Sequence, residues 1–171
     1  MTATLGRAPV AVGRWIVDPG RSTATFTVRN FGVRTVRGSV PVLGGAVEVS
    51  EDGSPRLVHA ELDLGGIATG NRRRDADLRK PALLALDAHP VLTFRADDFE
   101  DGPQGWRALG SLRARGTTCP LTVLGVPATT GEDLHLVGTA VLDRTALGIR
   151  APRLLIGRDV AIVVDTWLTP A

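Results

Sequence analysis

Few residues in this chain are of a type that does chemistry, and their spacing keeps them apart. His59, His89 and His135 are far from one another in sequence and form no pair at the short spacing of a metal site, so no metal is expected. His59 and His135 fall on polar faces of strand-like stretches, where an imidazole is simply solvated. Cys119 sits between Thr118 and Pro120. A nucleophilic thiol needs a base and an oxyanion site, and neither is legible beside it. There is no Gly-Lys-Ser/Thr phosphate loop, no Gly-x-Gly-x-x-Gly after a strand and no Gly-x-Ser-x-Gly. No catalytic residue is therefore assigned. Two charged pairs remain, Arg74-Asp75 and Asp143-Arg144. Their arginines would either contact an anionic or carbonyl head group at the mouth of a container, or form salt bridges that pin a helix and a loop to it.

The elements that must position these pairs read almost entirely as strands. Ser22, Ala24, Phe26 and Val28 alternate with Thr23, Thr25, Thr27 and Arg29, the period of a half-buried strand. The same alternation sets Val36, Gly38 and Val40 on one face, and Val58, Ala60, Leu62 and Leu64 on another. It recurs in Leu92-x-Phe94-x-Ala96, Ala108-x-Gly110-x-Leu112-x-Ala114, Leu136-x-Gly138-x-Ala140-x-Leu142 and Val160-x-Ile162-x-Val164. Gly44-Gly45 reads as a turn and Asp52-Gly53 as a hairpin. Arg153 to Ile156 reads as a short helix or a strand end. Ile67 to Phe94 is the longest segment without alternation. It reads as one helical excursion, opened by Arg74-Asp75 and closed by His89-Pro90, with Leu83, Leu84 and Leu86 as an apolar tail. The result is an all-β chain of about eight or more antiparallel strands with one helical segment. One helix cannot cover so many apolar faces, so the sheet is expected to close as a barrel or fold into a sandwich. A barrel of that size has room for one small ligand. The inward glycines Gly38, Gly110 and Gly138 either leave space at the wall or relieve crowding at bends.

At 171 residues the chain suits one domain with a sizeable core, expected over residues 14–171 after a flexible lead at 1–13. No apolar run approaches a membrane span, and the N-terminal stretch lacks the apolar centre of a signal peptide. With one cysteine, the expected setting is the cytoplasm. The sequence pI of 9.4 accompanies a net charge of only +2. With one lysine and no tyrosine, little titrates at high pH, and a small arginine excess lifts the pI. The arginines are spread along the chain, and only Arg72-Arg73-Arg74 cluster. No nucleic-acid partner is expected, because that needs a broad basic face with aromatics for stacking.

Several short motifs, in order, resemble the YceI-like family of bacterial proteins. They are Trp15-Ile16-Val17-Asp18 with Phe26, Val36-Arg37-Gly38, and Ile67-x-Thr69-Gly70 followed by Arg74-Asp75-x-x-Leu78 and His89-Pro90-x-x-x-Phe94. Later come Gly110-x-Leu112, Gly116-x-Thr118 with Pro120, Asp143-Arg144-x-x-Leu147-Gly148-Ile149 and Asp159-Val160-x-Ile162. Arg21, Asn30 and His89 depart from the family pattern, which often has His at the first two positions and an aromatic at the third. If those positions touch a head group, its preference differs here.

The resemblance implies a lipocalin-like antiparallel β-barrel that binds polyisoprenoid-type lipids. It points to a noncatalytic carrier or store for a long apolar chain, a polyisoprenoid or an isoprenoid quinone, with no other cofactor. Such a chain gains ~25 cal/mol per Å² of apolar area buried and needs few polar partners. The lining candidates are Phe26, Val28, Val36, Leu62, Leu64, Phe94, Leu112, Leu142 and Ile162, with Leu83 and Leu84 over the entrance and Arg74 and Arg144 for the head group. Two alternatives stand beside this reading. One is a filled barrel serving as a structural or stress-related interaction protein. The other is an enzyme acting on such a lipid with Arg74 or Arg144 as electrophilic groups. Family members often pair, so a homodimer is compatible with the resemblance, although no seam is visible in the sequence.

Overall fold

The computed structural model describes residues 10–30, 34–81, 83–149 and 157–171. The expected feature at Arg153–Ile156 and residues 1–9 of the expected lead lie outside them. The chain forms β1 (Gly13–Val17), β2 (Thr23–Asn30), β3 (Arg34–Val40), β4 (Val42–Val49), β5 (Pro55–Asp63), α1 (Arg72–Leu78), β6 (Val91–Asp101), β7 (Trp106–Ala114), β8 (Thr117–Thr130), β9 (Leu134–Asp143) and β10 (Asp159–Pro170). From β4 to β10 each strand pairs antiparallel with the next. β1 lies on β4 at one side and on β10 at the other, through Trp15↔Val47 and Trp15↔Pro170, which closes an eight-stranded ring. β2 and β3 prolong β1 and β4 beyond that ring: β2 continues along β10, and β3 pairs with β2. The fold is therefore an all-β, closed antiparallel barrel.

Local chemistry explains the interruptions. Between β1 and β2, Asp18 caps a 3-10 turn at Pro19–Arg21 by accepting from the Gly20 amide at 3.0 Å. Between β3 and β4 stands Pro41, which has no amide hydrogen for a ladder. The turn expected at Gly44-Gly45 does not form. Both residues lie inside β4, where the register shifts between Val42 and Gly44. A Cβ on Gly45 would come within 2.5 Å of the His59 carbonyl oxygen, so the glycine allows close approach of two backbones at a bulge. The excursion from Ile67 is also less helical than expected, since α1 has seven residues. Asn71 caps it by accepting from the Arg74 amide at 3.0 Å. Pro81, three residues after Leu78, cannot extend the helix, and turns carry the chain to β6, with Ala85 at φ 49°.

The alternation read from the sequence places most of the expected side chains inside, although Val36 is not part of the core. Ala24, Leu62, Phe94, Ala96, Leu112 and Leu142 are buried, with Phe26, Ile162 and Val164 packed against them. At two of the three inward glycines the space is taken by a ring. The Phe26 ring lies across Gly38, its strand partner on β3, and the Phe94 ring lies against Gly110 of β7, where an added Cβ would stand 2.7 Å from Phe94 Cζ. A backbone pair between Ser39 and Ala68, at 2.9 and 3.0 Å, lays the start of the β5–β6 connection against β3. That pairing satisfies part of an otherwise open strand edge.

Candidate functional site

Two apolar cavities occupy the barrel. The inner one, about 140 Å³, lies between Val17, Val58, Phe94, Phe99, Trp106 and Leu136, among others. The outer one, about 160 Å³, lies under α1 and the loop after it, with Leu78, Leu83 and Leu84 among its lining. A single water needs roughly 10–15 Å³ of such space, so neither is a packing defect. Leu62, Leu92 and Ile162 line both cavities. Leu62 and Leu92 face each other across β5 and β6. Ile162 comes from β10, separated from β5 by β1 and β4 and from β6 by β7, β8 and β9. The three form a waist across the barrel between the two spaces.

Of the residues singled out in the sequence, Leu62, Phe94, Leu112 and Ile162 line the inner cavity. Phe26, Val28, Leu62, Leu64, Leu83, Leu84, Leu142, Ile162 and Arg144 line the outer one. Val36 and Arg74 line neither. Sequence reading missed Leu92 as part of the waist, although it shares a face with Phe94. It also missed Leu147 and Ile149, which come from an irregular loop without a period.

The two charged pairs are not ion pairs with each other. Arg74 donates from Nε to Thr69 Oγ1 and from Nη2 to the Thr69 carbonyl, both at 2.8 Å, while Asp75 accepts from the Thr69 amide and hydroxyl. The pair thus grips Thr69, next to the Ala68 bridge, and ties α1 to β3. Arg144 is 4% exposed. It donates from Nε to the Gly157 carbonyl at 3.0 Å and from Nη1 to the Ile149 carbonyl at 2.8 Å, and it stands in the wall of the outer cavity. Asp143 turns away to Thr145 and to Arg158 Nε at 2.8 Å. The Thr145 hydroxyl, then its amide and Arg158, hold the Asp143 carboxyl below its ordinary value against some desolvation.

Arg115 completes the mouth. It occupies the β7–β8 turn at φ 56°, followed by Gly116 at φ 69°, the pairing of positive φ angles that a tight hairpin needs. Its guanidinium donates to the Gly148 carbonyl at 2.6 Å, to Leu147 at 3.3 Å and to Pro81 at 2.8 Å. One side chain therefore joins the hairpin, the loop carrying Leu83 and Leu84, and the loop after β9. Arg115→Ala is expected to raise amide hydrogen exchange at 83–86 and 147–149 by at least about tenfold, with β4–β9 unchanged, as local opening without global unfolding. Unchanged exchange in those loops would show that they hold without it.

The chemistry-bearing residues stay dispersed. Cys119 is buried, and burial, with the nearby Asp143 charge, pushes its thiol up. His135 meets Asp165 at 2.6 Å and stacks on Trp167 with ring centres 4.4 Å apart, on the outer wall. Among the described residues no group of three or more His, Cys, Asp or Glu is placed to hold a metal, and no helix is long and apolar enough to cross a membrane.

The YceI-like domain pattern matches residues 15–168. The chain belongs to the YceI-like family. Solved structures share the fold. BcnA of Burkholderia cenocepacia aligns with TM-score 0.71 at 15% identity, covering 88% of this chain and 98% of that one. A polyisoprenoid-binding domain from Saccharophagus degradans implicated in plant cell wall breakdown aligns with TM-score 0.70 at 10% identity, covering 94% and 100%. The YceI protein of Campylobacter jejuni aligns with TM-score 0.69 at 11% identity, covering 79% and 85%. The curated proteins contain no match. The YceI-like motifs acquire a physical meaning here. Thr69, Arg74 and Asp75, Gly116 packed on His89, and Arg144 with Gly148 at φ 73° all brace the outer-cavity end of the barrel.

Proposed function

We propose that this YceI-like protein binds a long-chain apolar lipid, of the polyisoprenoid or isoprenoid-quinone type, along the barrel axis and acts as a noncatalytic carrier or store. The observation that carries the reading is the pair of apolar cavities that share the waist residues Leu62, Leu92 and Ile162, the outer one lined by Leu83 and Leu84. Apolar cavities of this order stay dry and take up apolar molecules in other proteins. Each isoprene unit that buries ~100 Å² gains roughly 2.5 kcal/mol, so a few units suffice for firm binding. Arg144 is the charged side chain among the described lining residues of the outer cavity, and we assign it the head-group end. Arg74, whose donors serve Thr69, is at most an outer contact. The name of the Saccharophagus neighbour points to the same ligand class. Native mass spectrometry of freshly purified protein, with organic extraction, tests this. A stoichiometric adduct with an isoprenoid or acyl mass pattern is the expected result. Bare protein after incubation with quinones and polyprenyl lipids would overturn it and return the barrel to an interaction role.

A further inference from the structure

Arginines that are scattered in sequence converge on one end of the barrel. Because neighbouring strands are antiparallel, successive connections alternate between the two ends. The end with the outer cavity receives Arg72, Arg73, Arg79 and Lys80 from the β5–β6 connection, Arg113 and Arg115 from the β7–β8 hairpin, and Arg158 from the start of β10. The opposite end receives the acidic hairpins: Glu51-Asp52 between β4 and β5, Glu100-Asp101 with Asp97-Asp98 at β6–β7, and Glu132-Asp133 between β8 and β9. Arg56 and Arg107 also stand at that end, paired with Glu48 and Glu100, and the net charge of +2 conceals an axial separation of the remaining charge.

Most carboxylates at the basic end are already occupied, while Asp63 and Asp159 form no ion pair among the described residues. Asp77 pairs with Lys80 at 2.9 Å, Asp87 with Arg79 at 2.9 Å and Asp143 with Arg158 at 2.8 Å, and Asp75 holds Thr69. Arg72, Arg73 and Arg113 are exposed and form no ion pair among the described residues. Arg115 donates through Nη1 and Nη2 to neutral carbonyls, so its charge is not cancelled.

We propose that this basic rim docks the barrel, outer cavity first, onto an anionic lipid bilayer. Three physical points favour that partner. The negative leaflet complements the rim, and each arginine near it adds to the attraction. The acidic end lies too far away to cancel it: the 12 residues of β10 extend ~40 Å before tilt, several times the Debye length of ~8 Å. The same rim surrounds Leu83 and Leu84 over the apolar cavity, so a lipid would pass between bilayer and barrel without crossing water. A nucleic acid fits less well, since no Trp or Phe among the described residues is exposed at this end for stacking. The purpose of docking rests on the carrier reading, but the docking itself does not.

The test is flotation with vesicles of phosphatidylcholine alone and of phosphatidylcholine with phosphatidylglycerol, free of isoprenoids. The wild type is expected to float only with the anionic vesicles, and only at low salt. Arg72→Glu/Arg73→Glu should weaken partition by about tenfold or more. Arg56→Glu/Arg107→Glu changes net charge by the same amount at the acidic end and should float like the wild type. Equal loss in both double variants, each shown folded by circular dichroism, would reduce the effect to net charge and overturn the proposal. Absence of anionic-vesicle binding, including with capture by an acidic protein or polynucleotide instead, would also overturn it. Loading from ethanol-delivered quinone, with no membrane present, is read separately. Loading without flotation removes docking and leaves the carrier, and flotation without loading does the reverse.

Discussion

Ile162→Trp is expected to abolish lipid loading while leaving the barrel folded. Ile162 faces Leu62 and Leu92 across the barrel and borders both cavities. An indole there has free space on either side, so the usual penalty for overpacking a dense core, about 1–3 kcal/mol, is largely avoided. The larger side chain blocks passage between the cavities and removes volume from both. Loss of adduct by more than about tenfold, with a thermal midpoint within ~5 °C of the wild type, is the expected pair of results. Undiminished loading of that folded variant would show that the ligand does not pass the waist.

The second large effect is on stability. Arg144→Leu should cost about 3–5 kcal/mol, because it removes a buried guanidinium and leaves the Ile149 and Gly157 carbonyls without their donors. For a chain of this size that corresponds to a fall of roughly 10 °C in thermal midpoint. Arg144→Lys should recover little, since one ammonium does not reproduce the planar fork that reaches both carbonyls. A fall of less than about 1 kcal/mol, well under the cost of two orphaned carbonyls, would mean that Ile149 and Gly157 are held by other contacts. The apolar replacement also separates roles: if the folded variant still loads lipid, Arg144 braces the mouth without serving the head group.

Much of the wall was legible because a strand with one buried face writes its pattern at period two. Phe26, Leu62, Phe94, Leu112 and Leu142 could each be placed inside from their neighbours alone. The fillings of Gly38 and Gly110 could not, because Phe26 and Phe94 reach them from adjacent strands and pairing is not written in local sequence. Gly44-Gly45 carries the composition of a turn, and only the close approach of the β5 backbone at His59 shows why glycine stands in mid-strand. The segment after Ile67 lacks alternation, a pattern that suggests helix, but the two prolines and the strained Ala85 make most of it a turned loop. The basic rim was hidden for another reason. Whether an arginine lies at one end or the other depends on how many strands precede it, so residues as distant as Arg72 and Arg158 share one end while Arg107 and Arg113, on one strand, part company.

The pairing of β1 with β10 has a consequence for how the molecule is made. The strands from β4 to β10 join by sequential neighbours as each emerges from the ribosome, but β1 is synthesised first and must wait for a partner made last. At ~5–20 residues per second, the ~150 residues between them occupy on the order of ten seconds. Throughout that interval the nascent sheet has no seam to close. Its apolar inner face and the free edge of the newest strand are both bare, the condition in which chains most readily pair with the wrong neighbour. The Trp15↔Pro170 contact is then the final stitch, and the rate at which it forms decides how long the interior remains a slot instead of a cavity.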